Sequence, residues 1–510
     1  MRDATLTGAG PIAGRREWGG LAVLALPTML LSLDQSVLYL ALPHLSADLA
    51  AGSTQTLWII DIYGFMLAGF LVTMGTLGDR IGRRRLLLIG AAAFGVASVV
   101  AAYSASAELL IVTRALMGVA GATLMPSTLA LITDMFAEPR QRGMAIAAWF
   151  GCLMVGGALG PVVGGALLEN FWWGSVFLMG VPVMALLLVL GPVLLPESRD
   201  TTLGRLDVPS VVLSLATILP VVYGIKELSK DGPAALLAVL AGVVFGVVFV
   251  RRQRKLASPL LDLRLFASRT FGAAMLILLL GSVTTGGIYL LVSLYLQAVE
   301  GLSPLRAGLW LVPSAVAIVI GSMLAPGLAQ RFRPAYVIAA GLTVTALGYL
   351  LLSQVRPGGM PLLVGGFVLA FFGAGPMGAL GTGLVVGSAP PRRAGSAASI
   401  SETGNHLGIA LGIAVMGSIG AAVYSARLAV PAGVPSGVAE TASESITAAT
   451  AAAARLTGGL GPELLDAARR AFTAGLNVSA VVGAGLFLAL AVLAAVGLRQ
   501  VRPGGDTDAA

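Results

Sequence analysis

A chain with run after run of about 20 apolar residues has few folds open to it, because each run is long enough to cross roughly 30 Å of hydrocarbon as a helix. Fourteen such runs can be placed, near 18–43, 55–77, 86–105, 109–133, 143–168, 174–195, 208–225, 234–250, 270–297, 305–328, 335–354, 360–386, 397–424 and 475–498. The seventh and eighth are the shortest, and Pro209 and Pro220 interrupt the seventh. Lipid offers the backbone no hydrogen bonds, so each run must satisfy its own, and helices are the expected result. The expected fold is an all-α polytopic membrane protein. Composition agrees: 57% of the 510 residues are apolar and 11% charged, with mean hydropathy +0.92.

Charge placement orients the chain. With both termini cytoplasmic, 23 of the 32 Lys and Arg fall in the tails and in the loops at 78–85, 134–142, 196–207, 251–269, 329–334 and 387–396. This asymmetry is the positive-inside pattern, and it implies an even number of spans. The first run is too long for a signal peptide's apolar region, so the stretch through Arg15, Arg16 and Glu17 reads as a retained cytoplasmic tail. Net charge is +8, yet the largest basic run, "RRQRK" at 251–255, directly follows a span and reads as a topogenic anchor. Nucleic acid is therefore not an expected partner. Cys152 is the single cysteine, which excludes an internal disulfide. No GxxxxGK[ST] phosphate loop occurs, so an ATP-driven pump has no support. No cofactor and no metal site are expected.

Six spans end at "LLPESRD" (194–200), two weaker spans follow, and "PLLDLRLF" (259–266) introduces six more. The expected units are an N-terminal six-helix bundle (1–200), a two-helix insertion with its cytoplasmic linker (201–265) and a C-terminal six-helix bundle (266–510). "GSMLAPGLAQRFR" (321–333) faintly echoes "GTLGDRIGRRR" (75–85), as a duplication would. Two bundles around a midplane cavity are the architecture of many secondary transporters. The external loop at 425–474 holds two helix-forming stretches, "SESITAATAAAARL" and "GPELLDAARRAF", expected to form a short hairpin.

Charged residues inside spans are costly and belong in the bundle interior. Asp34 lies nine residues before Pro43, about 13 Å from the outer end of the first span at 1.5 Å per residue. Asp61 and Arg114 also fall in the outer half, so two acids and one guanidinium leave one negative charge over. A proton or a cationic substrate can neutralise that surplus, and protonation of Asp34 is the expected switch. A static ion-pair network that only fixes packing is the alternative. Glu402 and His406, four apart, share a face of the thirteenth span. His406 is a candidate proton carrier or a packing histidine, and the pair supplies too few ligands for closed zinc coordination.

"VGGALGPVVGG" (155–165) sets Gly156, Gly160 and Gly164 at spacing four, a smooth stripe for a close-packed neighbour, with Gly165 following. Pro161 removes a donor and is expected to bend the helix there. In "GTLGDRIGRRR", Gly75, Gly78 and Gly82 allow a tight turn, Asp79 suits a helix N-terminus or an arginine, and Arg80 and Arg83 accompany it. Arg84 and Arg85 read more simply as topogenic charge. Tyr39, Trp58, Trp149, Trp310, Phe371 and Phe372 are candidate cavity liners for a cationic guest, or else lipid-facing aromatics.

These motifs together resemble the major facilitator superfamily. "GTLGDRIGRRR" is similar to its signature between spans two and three, "LIVTRALMGVAGA" (110–122) to its span-four motif and "GGALGPVVGG" to its span-five antiporter motif. "LDQSVLYLALP" resembles the span-one motif of the fourteen-span drug:proton antiporters, and "FWWGSVFLMGVP" (171–182), "LYLQAVEGLSPLRAGL" (294–309) and "SETGNHLGIALG" (401–412) extend the likeness over nearly all of the chain. The resemblance implies export of lipophilic, often cationic compounds such as quaternary ammonium compounds and dyes, driven by inward proton movement in a bacterial cell membrane. Asp34, Asp61 and Glu402 are then the candidate acids, and Asp79 helps to latch the halves. It also implies extra spans peripheral to a twelve-helix core and a monomer as the working unit. Tyr39, Met117 and His406 depart from residues common in that family, and "VIGSMLAP" lacks an acid found in some multivalent-cation exporters. A proton-coupled symporter or facilitator of a small metabolite on the same fold is the alternative. A membrane enzyme lacks a sizeable soluble domain and an evident nucleophile–base pair.

Overall fold

The apolar runs do become helices. The computed structural model describes residues 12–198, 207–227, 233–256, 263–388, 394–456 and 459–501. In chain order the helices are α1 (Arg15–Asp48), α2 (Ser53–Ile81), α3 (Arg83–Ala102), α4 (Ala107–Met135), α5 (Pro139–Asn170), α6 (Ser175–Leu178), α7 (Gly180–Leu194), α8 (Val208–Glu227), α9 (Pro233–Lys255), α10 (Arg269–Leu294), α11 (Pro304–Arg331), α12 (Pro334–Leu352), α13 (Met360–Gly387), α14 (Ala394–Arg427), α15 (Ser436–Glu444), α16 (Ile446–Ala453) and α17 (Leu460–Gly497). Local chemistry sets several starts. The hydroxyls of Ser106, Ser268 and Ser303 accept from backbone N–H groups in the first turns of α4, α10 and α11. Pro304 follows its cap at the first helical position, where no donor is missed.

Among the described residues, twelve helices are long and apolar enough to cross a membrane, and a thirteenth is α5 if its bent pair counts as one span. The fourteen runs of the sequence thus meet a shortfall at α8. Its apolar stretch, Pro209–Val221, is below the about 20 residues of a straight crossing. In α5 a 42° bend separates Met144–Gly157 from Leu159–Asn170. Its cause is Pro161, whose ring clashes with the carbonyl four residues earlier, that of Gly157.

Contacts sort most helices into two sets. In the first, α1 packs on α5 and α7, and α4 on α2 and α3; in the second, α10 packs on α14, and α13 on α11 and α12, with α17 closing against α12 and α14. The sets meet where α5 lies on α11, α2 on α14 and α1 on α10. α8 and α9 pack on each other, α8 also reaching α2 and α14, and only 11% of the apolar window of α9 is buried. The loop at 425–474 differs from the expected hairpin. α15 and α16 form the folded-back pair, whereas "GPELLDAARRAF" opens the long α17. No breaker separates it from the last span, and Leu464, Ala467, Ala468 and Ala471 bury one face at helical spacing.

Candidate functional site

Gly118 on α4 lies so close to α2 that a Cβ there would stand 2.5 Å from the Tyr63 carbonyl oxygen. That approach presses Arg114, one turn earlier, into the interior, where it is fully buried. Its Nη1 donates to Asp34 Oδ2 on α1 at 2.6 Å, its Nε donates to the Ile59 carbonyl at 3.4 Å, and its guanidinium lies over the rings of Tyr63 (4.5 Å) and Phe177 (5.8 Å). Asp34 is 5% exposed. Charge, hydrogen bonds and ring faces together replace the water both groups give up.

Asp61, one helical turn below Leu57 on α2, is 1% exposed and borders a small cavity. Gln35, Tyr39, Gly64, Arg114 and His406 share that lining. The cavity therefore joins titratable groups of α2 and α14, helices from different sets. Gly64 makes this possible: a Cβ added there would sit 3.2 Å from the Cβ of Ala410 and 3.8 Å from the His406 carbonyl oxygen, so α14 lies close against α2. His406 Nε2 is 3.2 Å from Glu402 Oε1, the imidazole side chain 11% exposed and the carboxylate 34%. Asn405 accepts from Ser282 at 2.7 Å and ties that turn of α14 to α10.

Of the candidate aromatics, Tyr39 lines this cavity and stacks on Tyr289 at 4.9 Å. Tyr289 in turn contacts Phe367 (5.8 Å) and Phe371 (6.1 Å), a chain of rings running from α1 to α13. Trp149 is buried and donates to Thr128 Oγ1 at 3.2 Å, joining α5 to α4. Trp58 packs with Phe65, Ala410 and Ile218 where α2, α14 and α8 meet. Trp310 and Phe372 are 43% and 36% exposed and lie outside the cavity's lining.

The glycine stripe of α5 faces α1. A Cβ on Gly156 would run into the Met29 carbonyl, one on Gly160 into Ser36 and one on Gly164 into Val37 at 2.6 Å. The other side of α5 meets α11, with Gly165 against Leu305 and Gly308 against the Pro161 carbonyl. Between α2 and α3, Gly82 takes a φ of 108°, open to glycine and strained for other residues. Gly75 abuts Pro126, Gly78 abuts Arg83 and Leu86, and Arg83 donates to the Pro126 carbonyl at 3.4 Å. Arg80 Nε is buried without a hydrogen bond. The side chain of Asp79 lies outside the described ones. Arg84 does more than anchor topology: it donates to the carbonyls of Pro192 and Leu195 at the end of α7 and lies 3.5 Å from Glu197.

Sequence reasoning passed over Gln35, Tyr63, Gly64 and Tyr289. Gly64 and Ala68, four apart, carried a close-packing signal of the kind read in α5. Nothing in the spacing marked the two tyrosines, whose roles depend on which helix faces them.

The chain has relatives among known proteins. The family model described as Major Facilitator Superfamily matches residues 24–413. The chain is 44% identical over 488 residues to the multidrug efflux pump LfrA of Mycolicibacterium smegmatis, covering 95% of this chain and 97% of that protein. It is 35% identical over 410 residues to the methyl viologen resistance protein SmvA of Salmonella typhimurium, covering 78% and 81%. Among solved structures, a bacterial homologue of the human lysosomal transporter Spinster superposes with a TM-score of 0.70 at 18% identity, over 96% of this chain and 99% of that one.

Proposed function

The chain belongs to the major facilitator superfamily, and on that premise we propose that it exports lipophilic, largely monovalent cations in exchange for protons by alternating access. The observation that carries this reading is the cavity in which Asp61 and Arg114 of one helix set meet His406 of the other. Arg114 is committed to Asp34 at 2.6 Å, so the pair is neutral as a unit. Asp61 is a second buried carboxylate, and it borders the cavity. A bulky cation or a proton neutralises it, and the two guests compete for one carboxylate. Tyr39 and the ring chain beyond it offer π-faces to a cation. His406 is the group through which the second set senses or relays that exchange.

The printed roles of the relatives, multidrug efflux and methyl viologen resistance, support export. Fourteen spans with α5 and α8 both crossing, and cytoplasmic termini, agree with the distribution of 23 of the 32 basic residues. On this reading residues 1–200 and 266–510 are the two rocking bundles, 201–265 is a peripheral insertion, and a monomer in the bacterial cytoplasmic membrane is the working unit. The contacts between Gly165 and Leu305, Gly308 and Pro161, Gly417 and Leu57, and Ser293 and the Tyr39 carbonyl all lie toward the end where α1 finishes. They make the outer gate.

The test is ethidium movement in liposomes holding the purified chain, driven by an imposed pH step. Dye should move against the proton flux, and Asp61→Asn should lower the driven rate by about 5- to 150-fold, the span of typical coupling energies, with the protein still folded. Dye moving with the protons would replace export by symport, and an unchanged rate in Asp61→Asn would remove the acid from the mechanism.

A further inference from the structure

A second cavity lies between the helix sets on the outer side of the gate contact between Leu57 and Gly417. Leu42 on α1, Leu57 on α2, Leu290 on α10 and Tyr424 on α14 form its walls, Phe472 of α17 closes one side, and Glu444 with the start of α16 forms its roof. On α1 Tyr39 lines the first cavity and Leu42 the second, so the two lie about one helical turn apart along that helix. The roof is fastened to the wall: Tyr424 Oη donates to the Ala442 carbonyl at 2.8 Å, and Tyr424 and Phe472 are 2% and 8% exposed. The lining is mainly apolar with a few polar groups, the make-up of sites that orient a small-molecule guest.

One ionisable side chain lines this space. Glu444 has no ion-pair partner among the described residues and stands where the α15–α16 roof meets the apolar wall. Glu444 is exposed on its outer side, and its charge repels an anion at this opening and attracts a cation. A hydrophobic cation satisfies both the walls and the charge, with the rings of Tyr424 and Phe472 adding cation–π attraction.

We propose that the cavity beneath the α15–α16 roof is a second binding site for lipophilic monovalent cations, with Glu444 as its counter-charge. It rests on the reading of the chain as a cation exporter and adds a station on the release side. A cation leaving Asp61 through the outer gate reaches this space before bulk water, and the roof must lift to free it. Because Glu444 stands in the external hairpin rather than in the rocking seam, its charge sets retention at the exit and not the coupling to protons.

Equilibrium binding of tetraphenylphosphonium to the purified full chain, followed by photolabelling with an azide-bearing analogue, tests this. Two bound cations per chain are expected. Glu444→Gln should weaken one of them by about fivefold, the effect of a single nearby charge near water, and reduce label on 417–424 and 436–447 while leaving the Asp61 site occupied. Ala421→Trp, which fills the space from the wall, should remove the same site, and neutral triphenylphosphine oxide should be insensitive to Glu444→Gln. A single bound cation, or two that persist unchanged in both variants, would overturn the proposal. Loss of pH-driven transport with both sites intact would instead overturn the proton-coupled reading alone.

Discussion

The seam between α1 and α5 and the seam between α10 and α14 are built alike and charged differently. In the first, Gly156, Gly160 and Gly164 of α5 lie on Met29, Ser36 and Val37 of α1; in the second, Gly404, Gly408 and Gly412 of α14 lie on Met275, Leu279 and Val283 of α10. Both stripes have spacing four, and both bring backbones so close that a Cβ would strike a carbonyl. Yet α1 carries a buried carboxylate locked to Arg114, whereas α14 carries Glu402 and His406, which are partly exposed and lie 3.2 Å apart. Close packing is needed wherever helices must move as one body, so it appears in both sets. The buried, fixed charge pair stands in one set only.

The sharpest way to break this contrast is at the locked pair. Arg114→Met leaves Asp34 buried without its partner, and the expected loss is about 3–5 kcal/mol, read as a fall in melting temperature in detergent. Adding Asp34→Asn to it should restore much of that loss. His406→Asn should move stability by less than about 1 kcal/mol, as an exposed or weak pair does; a loss equal to that of Arg114→Met would erase the distinction between the two sets.

The packing half of the comparison is tested by overfilling both seams. Gly160→Leu and Gly412→Leu should each destabilise by about 1–3 kcal/mol and stop dye transport. Unequal effects, with one variant still transporting at the native rate, would show that the two seams do not move as equivalent bodies.

The smallest effect is expected outside both seams, in the α8–α9 hairpin. Arg252 Nη2 donates to Asp207 Oδ1 at 2.6 Å, and this hydrogen bond holds the Asp207 carboxyl below its usual value, with Ser210 also donating. A carboxyl lowered by folding stabilises the native state above its unfolded pKa, and that contribution fades as pH falls through the lowered value. The pair is partly exposed, so Asp207→Asn should reduce stability at neutral pH by no more than about 1 kcal/mol, narrow the gap at acid pH and leave transport unchanged. A large transport defect would make the hairpin part of the moving machinery.

Much of this was legible before any coordinates. The apolar runs, the stripe in α5 and the depth of Asp34, Asp61 and Arg114 follow from hydrophobicity and helical geometry, which act locally along the chain. Pro161 announced the bend in α5, and the ring's clash four residues back explains its place at Gly157. Less legible was the length of α8, where the prolines flagged weakness without stating how much apolar helix would survive. The repeat in the second set was visible as spacing in "SETGNHLGIALG", but an echo between distant loops drew the attention instead.

The amino-acid sequence on its own determined that this is a bundle of membrane helices carrying two acids and one arginine in the interior of its first half, because burying charge in hydrocarbon is too costly to be accidental. Only the tertiary structure decided which acid Arg114 holds and which one faces the cavity. Asp34, Asp61 and Arg114 stand on three different helices, and their arrangement depends on how closely Gly118 lets α4 approach α2. The same holds for the roofed cavity at Glu444, whose lining comes from six separate stretches of chain. Helix periodicity is a property of neighbours in sequence, whereas pairing and enclosure are properties of neighbours in space.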